Sequence, residues 1–196
     1  MRTVAVLFAD RDSVYKSLPG CDVYDIQRDA TTFAGGCPVV AHPPCRGWGR
    51  LRHMAKPLHG EIALAPWAVH AVERWGGVLE HPAGSQLWPF CRLPLPGTAG
   101  DRGFAITVDQ CHWGHRARKA TWLYICGGHP EAMPAEPEPS GPPPCVVDTS
   151  MRGDGRRPRI SHRERSATPR AFAEWLCDLA RRCRPANRKS QIANRK

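Results

Sequence analysis

Cys37-Pro38-Val39-Val40-Ala41-His42-Pro43-Pro44-Cys45 is an apolar run that stops abruptly in a proline pair. The run has the length and composition of a short buried strand, and the two prolines force the chain into a turn directly after it. Val78-Leu79-Glu80-His81-Pro82 repeats this arrangement, because two apolar residues lead into polar ones and then a proline. In an open α/β sheet, ligands bind beyond the carboxyl ends of the strands, so both stretches predict polar groups at a binding edge.

Strands and helices alternate around these two stretches. The predicted strands lie at 4–8, 21–26, 37–41, 78–79, 104–108 and 120–126. Residues 61–75 carry apolar side chains at helical spacing and stop at Gly76-Gly77, and Thr168-Pro169 opens a second helix that stops before Pro185. The pattern predicts an α/β fold with a Rossmann-like, mostly parallel sheet, flanking helices, a Pro-rich linker and a C-terminal helix.

The chain is predicted to consist of one core followed by an extension. We expect an α/β core at 1–127, a Pro-rich and then basic linker at 128–164, a helix packing on the core at 165–184 and a disordered basic tail at 185–196. Seven of the seventeen residues at 128–144 are proline, a composition that sustains neither helix nor sheet.

The basic charge is concentrated near the C-terminus. The 196 residues carry a formal net charge of +10, and residues 151–196 hold 14 basic and 4 acidic side chains. Residues 1–150 hold 14 of each and are neutral by the same count. This distribution favours nucleic acid, and specifically DNA, as the partner.

Several classes of protein are not supported by the sequence. It has no apolar run of membrane-spanning length, and its N-terminus turns acidic after a strand-length apolar run, so we expect a cytoplasmic protein with no membrane partner. The nine cysteines are odd in number and form no C-x-x-C pair, which favours reduced thiols and argues against zinc knuckles. Cys111, His112 and His115 lack a fourth ligand, so no metal site is expected.

Three chemically distinct groups stand at predicted strand ends. Cys45 lies in the rigid proline turn, Glu80 follows the strand at 78–79, and Arg116 and Arg118 precede the strand at 120–126. Converging at one edge, they would supply a nucleophile, a proton donor and an anion clamp.

The ordered set Pro43-Pro44-Cys45, Glu80-His81-Pro82 and Arg116-Ala117-Arg118 resembles the DNA (cytosine-5)-methyltransferases. Their signatures are a Pro-Pro-Cys loop, a Glu-Asn-Val/Pro strand end and a Gln-x-Arg-x-Arg segment; here His81 replaces the Asn and Gly114 the Gln. The resemblance implies that the Cys45 thiolate attacks carbon 6 of a flipped-out cytosine. It further implies that Glu80, its pKa raised by burial, protonates or hydrogen-bonds ring nitrogen 3, and that Arg118 and Arg116 hold the base carbonyl or a phosphate.

The same resemblance implies S-adenosylmethionine as cofactor, near Phe8, Asp25 and Pro43. Leu7-Phe8-Ala9-Asp10 lacks the Gly-x-Gly turn that the family places after its first strand. The residues expected to contact DNA are Arg46, Trp48, Arg50, Lys119, Arg156 and Arg157, with Trp48 either stacking on a base or packed in the protein. No segment is long enough for a target-recognition domain, so a partner protein would supply recognition.

Three functional readings follow. The first is cytosine-5 methyl transfer on DNA by a compact enzyme of bacteriophage or prophage type, working in the host cytoplasm. The second keeps the Cys45 chemistry but uses another one-carbon donor or an already altered pyrimidine. The third is a non-catalytic, methyltransferase-like DNA-binding protein. The residues do not distinguish cytosine from uracil derivatives.

Overall fold

A mixed six-stranded sheet forms the centre of the molecule. The computed structural model describes residues 1–139, 141–147 and 157–185, with the backbone alone at His162. The strands are β1 (Val4–Leu7), β2 (Cys21–Val23), β3 (Val39–Ala41), β4 (Gly77–Pro82), β5 (Gly103–Asp109) and β6 (Ala120–Cys126). Their spatial order is β2-β1-β3-β4-β6-β5; the first four are mutually parallel and β6 is antiparallel to both neighbours. The predicted α/β class with a mostly parallel, Rossmann-like sheet is confirmed.

Two long helices and two short ones surround the sheet. They are α1 (Glu61–Trp75), α2 (Leu87–Cys91), α3 (His162–Ser166) and α4 (Arg170–Arg182). The predicted and observed bounds of α1 agree. Helix α4 begins one residue later than the sequence predicts, because Pro169 has an extended backbone and is itself the N-cap in place of Thr168. The five-residue helices α2 and α3 were not predicted, since they are too short to show a helical period.

Successive strand residues point to opposite faces and build two cores. On one face, Val40 and Val78 pack in a cluster with Phe172 and Leu176 of α4. On the other, the next residues of β3 and β4 pack in a cluster with α1 and α2; it includes Ala41, Leu79, Ala65, Val69 and Trp88. The sheet is therefore the middle layer of three.

The strand register brings five chain segments to one edge of the sheet. Ala41, the last residue of β3, pairs with Leu79 of β4, and β4 continues to Pro82 beyond the end of β3. Pro82 pairs with Thr121, which puts the start of the antiparallel β6 at this edge. Asp109 pairs with Ala120, which brings the end of β5 there as well. We call this the carboxyl edge, and the end of β1 completes it.

The segment after β6 contacts the core at several points. The backbone N–H of Cys145 donates to the Arg116 carbonyl at 2.9 Å, and Cys145 itself is buried. The Trp175 indole N–H donates to the Ala135 carbonyl at 3.0 Å. The predicted tail at 185–196 lies, after its first residue, outside the described residues. Within the part of the chain that is described, none of the helices has the length and apolar character needed to cross a bilayer.

Candidate functional site

Cys45 and Glu80 lie on neighbouring segments of the carboxyl edge: Cys45 is in the turn after β3, whereas Glu80 lies inside β4, which continues to Pro82 and is longer than the predicted strand at 78–79. Because β3 and β4 are parallel and in register, Glu80 stands beside His42, and the Pro43-Pro44 turn then leads to Cys45. Cys45 is an exposed residue, whereas the Glu80 side chain is largely covered. The two are close enough for the Glu80 charge to act on the thiol. The structure thus brings these two predicted residues together.

A chain of hydrogen bonds holds the Glu80 carboxylate in place. His42 Nδ1 lies 3.0 Å from Glu80 Oε2, and His42 Nε2 lies 3.0 Å from the Tyr15 hydroxyl. A neutral imidazole that donates its Nδ1–H to the carboxylate accepts the hydroxyl proton at Nε2. On the other side, the Gln110 amide donates to Glu80 Oε1 at 2.9 Å and to Thr121 Oγ1 at 3.0 Å. The chain spans the carboxyl edge from the segment after β1 to the start of β6.

These contacts keep Glu80 ionised. Burial by itself raises the pKa of a carboxyl, but the His42 hydrogen bond and the Lys119 ammonium act more strongly together and lower the pKa of Glu80 to about 2. The expectation that the pKa of Glu80 is raised overall is therefore wrong, because the favourable contacts outweigh the effect of burial. At neutral pH Glu80 is a hydrogen-bond acceptor with a fixed position, and it does not carry a proton to donate.

The Cys45 thiol is not activated in the free protein. Desolvation by the surrounding protein atoms and the charge of Glu80 raise its pKa, and the Lys119 ammonium offsets them only in part. The thiol form therefore predominates at neutral pH. Since the thiolate is the nucleophile, Cys45 must lose a proton before it can attack.

The two arginines predicted to join this pair have other partners. Arg118 Nε donates to Asp109 Oδ2 at 2.9 Å, and its side chain is 78% exposed. Arg116 forms an ion pair with Glu164 and is 61% exposed. Their backbone lies at the carboxyl edge, but neither guanidinium is hydrogen-bonded into the Glu80 chain. The neutral Gln110 contacts Glu80, and the role of the two arginines in holding a base carbonyl or a phosphate stays a prediction.

Trp48, predicted either to stack on a DNA base or to pack in the protein, takes the packing role. It is 6% exposed and meets the Phe90 ring edge-on at a centroid distance of 5.0 Å. Its carbonyl also accepts the Gln86 backbone N–H at 2.9 Å, which ties the turn after Cys45 to the segment before α2. A base could reach this indole only after the turn moved.

Three of the five cations predicted to contact DNA have partners within the protein. Arg46 pairs with Glu61 at 3.2 Å, Lys119 donates to the Ala167 carbonyl at 3.4 Å, Arg157 donates to the Pro143 carbonyl at 3.2 Å, and Arg50 is exposed. Arg156 lies outside the described residues. Arg46 and Arg50 both follow Cys45 on the same loop, and Arg46 is already paired with Glu61.

His81 is a buried histidine beside the Pro43-Pro44 turn. Its exposure is 0%, and neither ring nitrogen has a hydrogen-bond partner among the residues that the structure describes. Burial lowers the pKa of His81 to about 4, although the Glu80 charge and the Pro44 backbone act in the opposite sense. The ring is neutral at physiological pH, and its two polar atoms are unsatisfied next to the candidate site.

The residues at the end of β1 and β2 do not fit S-adenosylmethionine in the predicted way. Phe8 has a positive φ of 62°, and its ring packs edge-on against Trp67 at a centroid distance of 5.9 Å. Asp25 Oδ2 lies 2.5 Å from Lys16 Nζ, and Asp25 Oδ1 accepts the Gln27 N–H at 2.8 Å. Both carboxylate oxygens thus have partners inside the fold, and Pro43 is buried.

No sequence signal indicated Tyr15 or Gln110, which lie far from Glu80 along the chain. His42 could have been found, because Ala41 and Leu79 pair in adjacent parallel strands and the residues after them lie side by side. No three His, Cys, Asp or Glu side chains in the described part of the chain are placed to hold a metal ion. Comparisons with protein-family models, curated proteins and solved structures give no match to this chain.

Proposed function

We propose that this protein modifies carbon 5 of a pyrimidine in DNA through a covalent adduct between Cys45 and carbon 6. The observation that carries the proposal is the proximity of Cys45, in the turn after β3, to a fixed, ionised Glu80 on the adjacent parallel strand β4. Cytosine-5 methyl transfer is the form that the sequence resemblance predicts. The basic loop around Cys45 and the basic C-terminal segment support DNA as the substrate.

The chemistry follows from the poor reactivity of the pyrimidine ring. The Cys45 thiolate adds to carbon 6, and the electron pair of the 5,6 double bond moves to carbon 5, which then attacks an electrophile. Loss of the carbon 5 proton and expulsion of the thiolate restore the ring. An ionised Glu80 accepts a hydrogen bond from the exocyclic amino group of cytosine or from the ring N–H of a uracil, which orients the base. The base must leave the duplex to reach both groups.

Exchange of the carbon 5 hydrogen tests this step without any donor. If Cys45 adds reversibly, carbon 5 of the adduct takes a deuteron from D₂O. It then loses its original proton to the solvent when the thiolate leaves. We expect deuterium at carbon 5 in DNA incubated with the protein and none with Cys45→Ser. Cys37→Ser is the matched control, because Cys37 precedes β3 at its opposite end, and it should exchange like wild type. No exchange by a folded wild-type protein that binds DNA would contradict the proposal.

A DNA oligonucleotide containing a 5-fluoropyrimidine identifies the nucleophile. Fluorine at carbon 5 blocks the proton loss that releases the enzyme, so the adduct accumulates once an electrophile has been added. Peptide mapping should find the oligonucleotide on Cys45. A covalent complex that survives Cys45→Ser would show that another residue attacks.

The donor is a separate question. The engaged Asp25 and the side chain of Phe8 favour the second candidate, in which a one-carbon electrophile other than S-adenosylmethionine is used. Calorimetry with S-adenosylmethionine, with and without DNA, separates the two. Binding supports methyl transfer; exchange at carbon 5 without such binding supports another donor.

The raised pKa of the Cys45 thiol favours the third candidate, a non-catalytic DNA-binding protein. Mass spectrometry of nucleosides from cells that express the protein distinguishes it. A modified pyrimidine supports the enzymatic proposals, whereas DNA binding with neither modification nor exchange supports the third. Co-purification from such cells would show whether a partner protein accompanies the chain on DNA.

A further inference from the structure

Cys21 and Cys177 form a thiol pair far from Cys45 in the chain. Their sulfur atoms are 3.5 Å apart although the residues are separated by 156 positions. Cys21 opens β2 and is half-buried, whereas Cys177 lies on the buried face of α4. Both are reduced, and their contact joins the edge strand of the sheet to the C-terminal helix.

Arg181, one turn beyond Cys177, fixes the backbone around this pair. Its Nη2 donates to the Pro19 carbonyl at 3.0 Å, and its Nε donates to the Arg2 carbonyl at 3.2 Å. Arg2 in turn donates to the Cys183 carbonyl at 2.5 Å. The turn before Cys21 and the last turns of α4 are therefore held together by contacts independent of the two sulfurs.

The same surroundings distinguish Cys21 from the other cysteines. A hydrogen bond from Cys177 and the nearby Arg181 guanidinium outweigh desolvation and lower the pKa of Cys21 to about 7. The pKa is raised by burial or by neighbouring groups at Cys37, Cys45, Cys91, Cys111, Cys126, Cys177 and Cys183. Cys21 is thus partly ionised at neutral pH and is half-exposed, the two properties that make a thiol reactive.

We propose that Cys21 and Cys177 are an oxidisable dithiol, in which Cys21 reacts with a hydroperoxide and Cys177 resolves the product as a disulfide. The Cys21 thiolate attacks the terminal peroxide oxygen; an S–O bond forms, the O–O bond breaks, and the alcohol or water leaves with a proton. Cys177 then attacks the Cys21 sulfur, an S–S bond forms, and water leaves. Two thiols and one hydroperoxide give one disulfide, one alcohol or water, and one further water; a dithiol reductant reverses the change.

The geometry requires only a small movement. The sulfurs approach from 3.5 Å to about 2.05 Å in a disulfide. The bond would cross-link β2 to α4 and restrict the unfolded chain, so the oxidised protein should melt at a higher temperature than the reduced one. The proposal does not involve Cys45 and does not depend on the proposed function.

Peptide mapping of the full chain tests the proposal. The reduced protein is treated with one equivalent of hydrogen peroxide, and the remaining thiols are alkylated with N-ethylmaleimide. We expect two of the nine thiols to disappear, a linked Cys21–Cys177 peptide to form, and dithiothreitol to restore both. In the same digest, Cys21 should oxidise roughly tenfold faster than Cys91, another half-buried cysteine.

Variants distinguish the reaction of Cys21 with the hydroperoxide from the resolving role of Cys177. In Cys177→Ser, dimedone should trap a sulfenic acid at Cys21 and no linked peptide should form, whereas Cys91→Ser should oxidise like wild type. Because wild-type mapping needs no variant to fold, it decides the outcome alone. Equal oxidation of Cys21 and Cys91, or linked peptides between other cysteines, would overturn the proposal.

Discussion

At the scale of single residues, two charges and one hydrogen bond govern the Cys45 thiol and the Glu80 carboxylate. Glu80 raises the pKa of Cys45, and Lys119 lowers the pKa of both groups. His42 adds the hydrogen bond that lets a covered carboxylate stay ionised. The charge state of the nucleophile is therefore set by side chains from β4 and from the segment before β6.

Substitutions of Glu80 and Lys119 should move the Cys45 pKa in opposite directions. Glu80→Gln removes a negative charge, so the thiol ionises more readily and reacts faster with iodoacetamide at neutral pH. Lys119→Met removes a positive charge and should slow the same reaction. Mass spectrometry of Cys45 alkylation against pH measures both profiles. An unchanged profile in both variants would mean that neither charge acts on the thiol.

The same Glu80→Gln variant should lose carbon 5 exchange, because the amide cannot replace the ionised acceptor that orients the base. If the Cys45 thiol of this variant reacts faster with iodoacetamide while hydrogen exchange at carbon 5 slows, then Glu80 acts by orienting the base and not by activating Cys45. Exchange at the wild-type rate or above would remove Glu80 from the proposed mechanism.

His81 should make stability depend on pH between about 4 and 6.5. Its pKa is lowered in the folded protein, so the unfolded chain binds more protons in this range and the free energy of unfolding falls as the pH falls. As the pH falls from 6.5 to about 4, the free energy of unfolding should decrease by about 3 kcal/mol. Glu80, whose pKa in the folded protein is about 2, adds a further loss only below pH 4.5, its ordinary pKa.

Replacing His81 with leucine should reduce the pH dependence of the free energy of unfolding in this range. His81→Leu also removes two unsatisfied buried polar atoms, so we expect the free energy of unfolding at pH 7 to rise by about 1 kcal/mol. Urea denaturation at several pH values measures both effects. The exposed His59 supplies the control, since His59→Leu should leave the wild-type pH dependence intact. A loss of stability in His81→Leu at pH 7 would mean that the ring makes a favourable polar contact.

The sequence predicted the position of Cys45 near Glu80, because the proline pair and the two predicted strands restrict where these residues lie; the roles assigned to them stay predictions. The partners of Arg118 and Arg116 are Asp109 and Glu164, and Gln110 donates to Glu80. The positions of these partners are set by strand order and by the segment after β6. No spacing in the sequence encodes those contacts.

At the scale of elements, sequence was most informative for the longest ones. Helix α1 and strand β6 have the predicted bounds, because each has an uninterrupted pattern with a clear stop. Helix α3 depends on a capping box between Ser161 and Glu164 inside a basic stretch that is otherwise irregular in sequence. The antiparallel placement of β6 between β4 and β5 is a property of the assembled sheet, and the separate strands do not predict it.

The attachment of α4 to the sheet should depend on its aromatic cluster. Phe172 is fully buried, and its ring lies 5.0 Å from Trp113 and 6.0 Å from Trp175. Phe172→Ala should lower the free energy of unfolding by about 4 kcal/mol, since it removes a large side chain from a packed core. Ile62→Ala, at a half-exposed position on α1, should change it by less than about 0.5 kcal/mol. Urea denaturation gives both values; equal effects would show that α4 contributes little to the core.

At the scale of the whole molecule, the basic C-terminal segment has two parts. Its residues as far as Arg184 belong to the described structure, whereas residues 186–196 lie outside it. The Arg184 backbone N–H donates to the Gly127 carbonyl at 2.8 Å, and a Cβ on Gly127 would lie 1.8 Å from the Arg184 carbonyl oxygen. The chain as far as Arg184 is therefore packed against the core. A truncation that spares the fold should begin at residue 186 and keep Arg184.

Residues 186–196 hold Arg188, Lys189, Arg195 and Lys196 and no acidic residue, so deleting them lowers the net charge from +10 to +6. If all four contact phosphates, the slope of log affinity for duplex DNA against log salt should become shallower by up to about 3.6, with weaker binding at low salt. Fluorescence anisotropy at several salt concentrations measures the slope, and thermal melting should give the wild-type temperature. A full-length variant with the four residues changed to glutamine separates charge from length and should match the deletion. If both variants keep the wild-type slope, DNA is held by the core cations, and the loop with Arg46 and Arg50 beside Cys45 becomes the region to test.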